Sequence, residues 1–335
     1  MIAQVFHCCE EEIREIEVLK KGMTNRSFLF SCRGGKYIMR VPGEGTDKLI
    51  DRAKEADVYR AISGKGLCDD PVYIDPVTGY KITRYLEGVR VCDAASESDL
   101  RRCMRRLRSF HEMNIEVGHD FDIFGQIAFY EELRNGRPSV YRDYERTKER
   151  VLSLKPFIDA HAGAKVLTHI DAVPDNFLFY QDADGHEQLQ LTDWEYAGMQ
   201  DPHVDIAMFC IYSLYDKRQV DRLIALYFAS GQETADGCGE GMSGRENDRA
   251  GGADADAHDL PSGASEQTVA KIYAYIAACG LLWSNWCEYK LLLGVEFGEY
   301  SLRQYRYAKD YYRYAMEMIN EMNKKMIRKR EDIDA

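Results

Sequence analysis

Residues 167–179, LTHIDAVPDNFLF, place a histidine, two aspartates and an asparagine between two short apolar runs. Acids and amides are poor strand formers, and a turn needs only one or two of them. The flanking VLTH and FLFY read as strands, so residues 169–176 form the connecting loop. LQLTDWEY reads as a third short strand ending at Asp193. Two polar clusters are thereby expected at the ends of adjacent strands, where they can face each other. The plain alternative is an Asx-rich loop whose side chains satisfy its own backbone.

The rest of the chain frames this β interruption with two different textures. Residues 12–43 read as strands broken by a glycine turn and an RGG turn into KYIMRV, and DPVYID and YKITRYLEG add two more around PVTG. Between them DKLIDRAKEADVYRAISGKG has helical spacing, with Leu49, Ile50, Ala53, Ala56, Val58 and Ile62 apolar. From about residue 95 helices dominate: SESDLRRCMRRLRSFHEM with a Ser/Asp-rich start, then QIAFYEELR, VYRDYERTKERVLSLKPFIDAH, DIAMFCIYSLY, VDRLIALYFAS and a long Trp- and Tyr-rich final segment. Residues 231–266 carry nine carboxylates against two arginines and almost no large apolar residues. Such a block cannot bury enough surface to offset its ordering entropy, and a disordered surface insertion is expected there.

Charge narrows the function. With 44 basic against 56 acidic side chains the formal net charge is -12, which disfavours broad nucleic-acid binding. A small phosphorylated ligand held by local groups remains compatible. No apolar run reaches the roughly 18–20 residues of a membrane span, the N-terminal stretch turns acidic too early for a signal peptide, and the ten cysteines form no CxxC pair. A cytoplasmic protein with reduced thiols and no membrane partner is expected; oligomeric state is not addressed by these features.

The polar spacing carries the chemistry. His-x-Asp-x-x-x-x-Asn followed by an Asp at the end of a nearby strand matches the logic of kinase-type phosphoryl transfer, an Asp for the attacking hydroxyl and an Asn and a second Asp for metal. Asp171, Asn176 and Asp193 supply a base and hard oxygen donors of the kind magnesium prefers.

Together with GMTNRSFLF, YIMRVPG, the Glu of DRAKEADVY, ITRYLEG, LTDWEYAGMQDPHVDIAMF and WSNWCEYKLLLGVEFGEY, in that order along nearly the whole chain, this pattern resembles the choline/ethanolamine kinase and aminoglycoside phosphotransferase superfamily, most closely its LicA-type bacterial choline kinases. The resemblance implies an α+β, bilobal protein-kinase-like fold: a small antiparallel sheet with one helix in residues 1–86 that binds nucleotide, and a larger, mainly helical lobe in residues 87–335 for catalysis and acceptor binding. It implies ATP and Mg2+ as cofactors. Asp171 becomes the catalytic base, Asn176 and Asp193 the metal ligands, and Glu195 sits beside the metal or orients its water. Gly22, Thr24 and Asn25 would close over the ATP phosphates, although a turn favours Asn in any case. Arg40 takes the strand position of the protein-kinase Lys, with Glu55 as its ion-pair partner and Lys36 as the alternative cation. Residues 84–88, with Tyr85 and Glu87, form the hinge that meets adenine. His169 orients the loop, and Asp205 either pins that loop or caps the helix DIAMF.

The acceptor rests on aromatic residues. Trp283 and Trp286 stand at i, i+3 with Tyr289 three further on, then Tyr300 and Tyr305. Quaternary ammonium groups bind over aromatic faces, Trp best. Two Trp at this spacing are more often ordinary core. By the resemblance, Trp283, Trp286 and Tyr300 line a choline pocket, with Tyr305 as the alternative tyrosine and Tyr196 and Tyr212 as further candidates. The reading is phosphorylation of the choline hydroxyl. Ethanolamine, an aminoglycoside or thiamine are the alternative acceptors, and a catalytically silent nucleotide-binding module is the rival of another class.

Overall fold

The computed structural model describes residues 1–19, 25–43, 46–68, 70–182, 184–229 and 260–334. Gly22 and Thr24, and residues 231–259 of the acidic block, lie outside them.

A short helix α1 (Ile2–Phe6) precedes strands β1 (Arg14–Val18), β2 (Asn25–Cys32) and β3 (Gly35–Pro42). Strands β4 (Tyr73–Ile74) and β5 (Lys81–Arg84) complete an antiparallel five-stranded sheet in the order β1-β2-β3-β5-β4. The β2–β3 register follows from its turn. Arg33 and Gly34 both take positive φ (49° and 77°), the geometry of a two-residue hairpin whose twist matches its strands, and Cys32 faces Gly35 across it. Phe30, Cys32, Met39 and Ile82 form the sheet's apolar face, and Ile2, Val5 and Phe6 of α1 pack on that cluster. This five-residue helix is too short to leave a legible periodicity.

Helix α2 (Arg52–Ile62) lies between β3 and β4 in sequence. It starts later than its apolar spacing suggests. Asp51, in extended backbone, accepts the amides of Ala53 and Lys54 at 3.1 and 3.2 Å and sets the N-terminus, so Leu49 and Ile50 stay outside the helix.

Strand β6 (Arg90–Val91) opens the larger part, followed by α3 (Glu97–Glu112), α4 (Ile123–Glu132), α5 (Tyr144–Leu152), α6 (Lys155–His161), β7 (Val166–Thr168), β8 (Phe177–Gln181), β9 (Glu187–Leu191), β10 (Gly198–Gln200), α7 (His203–Tyr212), α8 (Lys217–Ala229), α9 (Glu266–Leu292) and α10 (Glu299–Asp334). The expected single helix over residues 140–161 is two, because the chain turns at Ser153 and Leu154 and restarts with Pro156 in its first turn. The end of the expected insertion is also ordered: Pro261 is buried, and the Ser265 hydroxyl accepts the Thr268 amide at 3.1 Å to start α9. Helix α9 is buried from Val269 to Lys290 and forms the pillar of the main core. Gly280 lets α10 approach it: a Cβ there would stand 2.7 Å from the Gln304 carbonyl and 2.9 Å from the Ala308 nitrogen. The result is the bilobal α+β architecture that the family resemblance implies. No described helix is long and apolar enough to cross a membrane, and the described cysteines are all free thiols.

Candidate active site

The polar loop runs between two sheets. β7 pairs with β10, whereas β8 pairs with β9 and with β6, so the two apolar runs around residues 169–176 are not neighbours of each other. β9 ends at Leu191, two residues earlier than the sequence suggests, and Asp193 stands beyond it at φ 64°. Phe177 faces Leu191, and the Thr192 amide donates to the Asn176 carbonyl at 2.9 Å, which brings the loop and the second acidic cluster side by side.

A buried carboxylate holds the loop. Asp205 accepts the amides of His169 and Ile170 at 2.9 and 2.7 Å, and His111 Nε2 lies 2.9 Å from the same carboxylate. This settles the role of Asp205 in favour of the loop; it makes no side-chain cap of α7. His169 donates from Nε2 to the Thr192 carbonyl at 2.8 Å, and burial pushes its pKa down to about 4. It is a neutral brace. Asn176 donates from Nδ2 to the Asp171 carbonyl and carboxylate at 2.9 and 3.1 Å.

Asp171, Asp193 and Glu195 then meet at one place. Burial, with the charges of Asp193 and Glu195, pushes Asp171 up to about 8. Burial and Glu195 push Asp193 up to about 6, although a third of its side chain is open to the cleft. The charges of Lys81 and Arg40 oppose the shift of Asp193 without cancelling it, and Asp171 has only the Asn176 amide in its favour, so a further cation or a proton is favoured beside them.

The sheet side supplies cations of its own. Arg40 Nη1 meets Glu55 Oε1, and Nη2 donates to Glu55 Oε2 at 2.7 Å and to the Gly79 carbonyl at 3.0 Å. The same Nη1 lies 3.8 Å from Asp193 and 3.6 Å from Glu195. Burial opposes the charge of Glu55, but Lys81, Arg40 and Arg52 outweigh it and hold its pKa at about 2. Asn25 donates from Nδ2 to Glu195 at 2.9 Å. Lys36 instead pairs with Glu87 at 2.9 Å on the surface, with 48% and 73% of the two side chains exposed. Tyr85 extends the sheet by donating its amide to the Lys36 carbonyl at 3.0 Å. Neither Tyr85 nor Glu87 lines the cleft.

Sequence reasoning passed over two buried cations. Arg52 donates from Nη1 to Glu55 and Glu195, each at 2.9 Å, and Lys81 lies 3.6 Å from Glu55 and donates to the Tyr59 hydroxyl at 2.5 Å. A charged residue on a helix reads as solvated, and only the i, i+3 spacing of Arg52 and Glu55 hinted otherwise.

One cavity of about 540 Å³ joins these groups to the aromatic residues. Its lining includes Arg40, Lys81, Asp171, Asn176, Asp193 and Glu195, and also Tyr196, Tyr212, Trp283, Trp286 and Tyr300. Trp283 meets Trp286 edge to face with centroids 5.4 Å apart and Tyr196 at 5.5 Å, and Tyr212 meets Tyr300 at 6.2 Å. Tyr305 does not take part: it stacks on Tyr141 at 3.9 Å and bonds Asp143 and Thr147. Asp175, also in the lining, accepts from the Tyr212 hydroxyl at 2.6 Å and adds a carboxylate to the aromatic end.

The phosphotransferase enzyme family model (APH) matches residues 15–240. The chain belongs to that family. Protein LicA of Haemophilus influenzae is 28% identical to this family member over 214 residues, 62% of this chain and 60% of LicA, so the chain spans about three fifths of that relative's length. The crystal structure of choline kinase LicA from Streptococcus pneumoniae superposes with a TM-score of 0.71 at 26% identity, covering 93% of this chain and 95% of that one. LicA in complex with AMP matches with a TM-score of 0.67 at 26% identity, over 90% and 94% of the two chains.

Proposed function

We propose that this phosphotransferase-family chain transfers the γ-phosphoryl group of ATP to the hydroxyl of choline, with magnesium as cofactor. The observation that carries the reading is the single cavity in which Asp171, Asn176 and Asp193 share walls with Tyr196, Tyr212, Trp283, Trp286 and Tyr300. The choline kinase LicA likeness and the AMP complex support it. In this reading residues 1–86 and 87–335 are the two lobes, and nucleotide binds at their seam.

The donor set fits magnesium. Asn176 and Asp193 offer only oxygen to a cation, since the Asn176 nitrogen is used by Asp171, and the raised pKa values of Asp171 and Asp193 mark a place where negative charge outweighs the positive charge around it. Bound there, Mg2+ neutralises charge on the phosphate oxygens. Asp171 accepts or orients the proton of the acceptor hydroxyl. Glu195, tied to Asn25 and Arg52, orients the metal's surroundings. Arg40 balances charge at the phosphates while Glu55 holds its fork. The aromatic walls hold a quaternary ammonium, an interaction worth about 2 kcal/mol or more when desolvated. Positioning carries most of the catalysis.

The Asp175 carboxylate at the same end favours a second reading, ethanolamine, because a primary ammonium gains from a hydrogen-bond acceptor. Turnover of Mg-ATP with choline, ethanolamine and a kanamycin-type aminoglycoside as acceptors decides. Preference for choline, weakened by Trp286→Ala, supports the proposal. Preference for another acceptor removes choline and retains the phosphoryl chemistry, and Mg-ATP binding without turnover of any acceptor leaves a binding module.

A further inference from the structure

Arg52 sits at the start of α2, buried, with acceptors on four segments. Nη1 reaches Glu55 on its own helix and Glu195 beyond β9, and Nη2 reaches Asn25 Oδ1 on β2 at 3.2 Å, with Thr46 Oγ1 at 3.5 Å. Asn25 itself donates to the same Glu195 oxygen that Arg52 holds. A planar guanidinium spreads five donors over three nitrogens and can reach such separated partners at once, whereas an ammonium offers three donors from a single atom.

A glycine makes room for this side chain. Gly79 has φ +70°, and a Cβ there would lie 2.6 Å from Arg52 Cδ and 2.7 Å from its Nε. The Gly79 carbonyl meanwhile accepts from Arg40. One residue of the turn before β5 therefore seats both arginines. Without Arg52, Glu195 would lose its 2.9 Å cation, and its charge would bear more heavily on neighbouring Asp193 and Asp171.

We propose that Arg52, seated on Gly79, is a positioning residue for the nucleotide and metal side of the site, tying Glu195 of the helical lobe to Asn25 and Glu55 of the sheet lobe. This rests on the phosphotransferase function proposed above. None of its partners belongs to the aromatic walls, so its loss falls on nucleotide and not on acceptor.

The test compares the full chain with Arg52→Gln, Arg52→Lys and Gly79→Ala. Mg·ADP affinity is measured by isothermal titration, and KM is measured separately for Mg-ATP and choline. Arg52→Gln weakens Mg·ADP and raises the Mg-ATP KM tenfold or more, while the choline KM stays within twofold. Arg52→Lys restores only part of this, and Gly79→Ala shifts the same quantities in the same direction. Nucleotide affinity within twofold of wild type in Arg52→Gln overturns the role, as does an equal loss for ATP and choline. Should Arg52→Gln fail to fold, the same criteria apply to Arg52→Lys and Gly79→Ala. The titration needs no choline turnover, so a wild type that binds Mg·ADP but leaves choline untouched overturns the proposed function and not the role of Arg52.

Discussion

The carboxylate of Asp205 accepts the backbone N–H of Ile170 at 2.7 Å, and this bond holds a β-branched residue at φ 66°. Such a conformation is a genuine outlier for isoleucine and persists only where the surroundings over-determine it. It lies immediately before Asp171.

Asp205→Ala leaves the amides of His169 and Ile170 and the His111 ring without their buried acceptor. A loss of roughly 3 kcal/mol or more in unfolding free energy is expected, since stranded buried donors each cost about 1–3 kcal/mol. Urea unfolding measures it. Turnover should fall further than the folded fraction accounts for, because Ile170 relaxes and carries Asp171 with it; proportional losses in both would reduce Asp205 to a stability role.

Asp171→Asn is expected to lower kcat by about 10²–10⁴-fold, the usual range for a positioned base, with Mg·ADP affinity changed little. Equal loss of both would argue against its role at the acceptor hydroxyl.

The same residue gives a pH signature. Its folded pKa of about 8 lies above the ordinary 3.8, so the ligand-free folded chain holds a proton that the unfolded chain has released. Stability from this group is fully present below about 4 and declines as pH rises to about 8. The difference in stability between wild type and Asp171→Asn, measured by urea unfolding across that window, should therefore move against wild type with rising pH. Added Mg2+ should flatten it. A flat difference without Mg2+ would mean that Asp171 is already ionised in the ligand-free chain.

Trp286→Ala should raise the choline KM by about 30-fold, the equivalent of roughly 2 kcal/mol of desolvated cation–π attraction. The KM for Mg-ATP serves as the control and should stay near its wild-type value. An unchanged choline KM would make Trp286 ordinary core.

Gly280→Val should destabilise the chain by about 1–3 kcal/mol through overpacking, because its Cβ would meet the α10 backbone at 2.7 Å. The midpoint of urea unfolding reads this directly. A neutral result would show that α9 and α10 can separate without cost.

What could be read in one dimension was local. His169, Asp171 and Asn176 fall within eight consecutive residues, so their spacing carries chemical meaning before any folding, and the alternation and turn residues of 25–42 specify a hairpin. Helix boundaries were less legible where a cap overrode periodicity, as Asp51 does for α2. The aromatic pair was half legible: helical spacing puts Trp283 and Trp286 near each other, but Tyr300 was separated from Tyr305 only by what each ring touches.

The sequence by itself determined the order of the longer strands and helices, the polar loop and its acidic sequel, because these depend on neighbours a few residues apart. Tertiary structure alone decided that Arg52 and Lys81 join Arg40 in burial against Glu55, with Arg52 also on Glu195, and that Lys36 stays at the surface. A charge leaves water only when partners from distant segments meet it, and that meeting is set by packing, not by spacing along the chain.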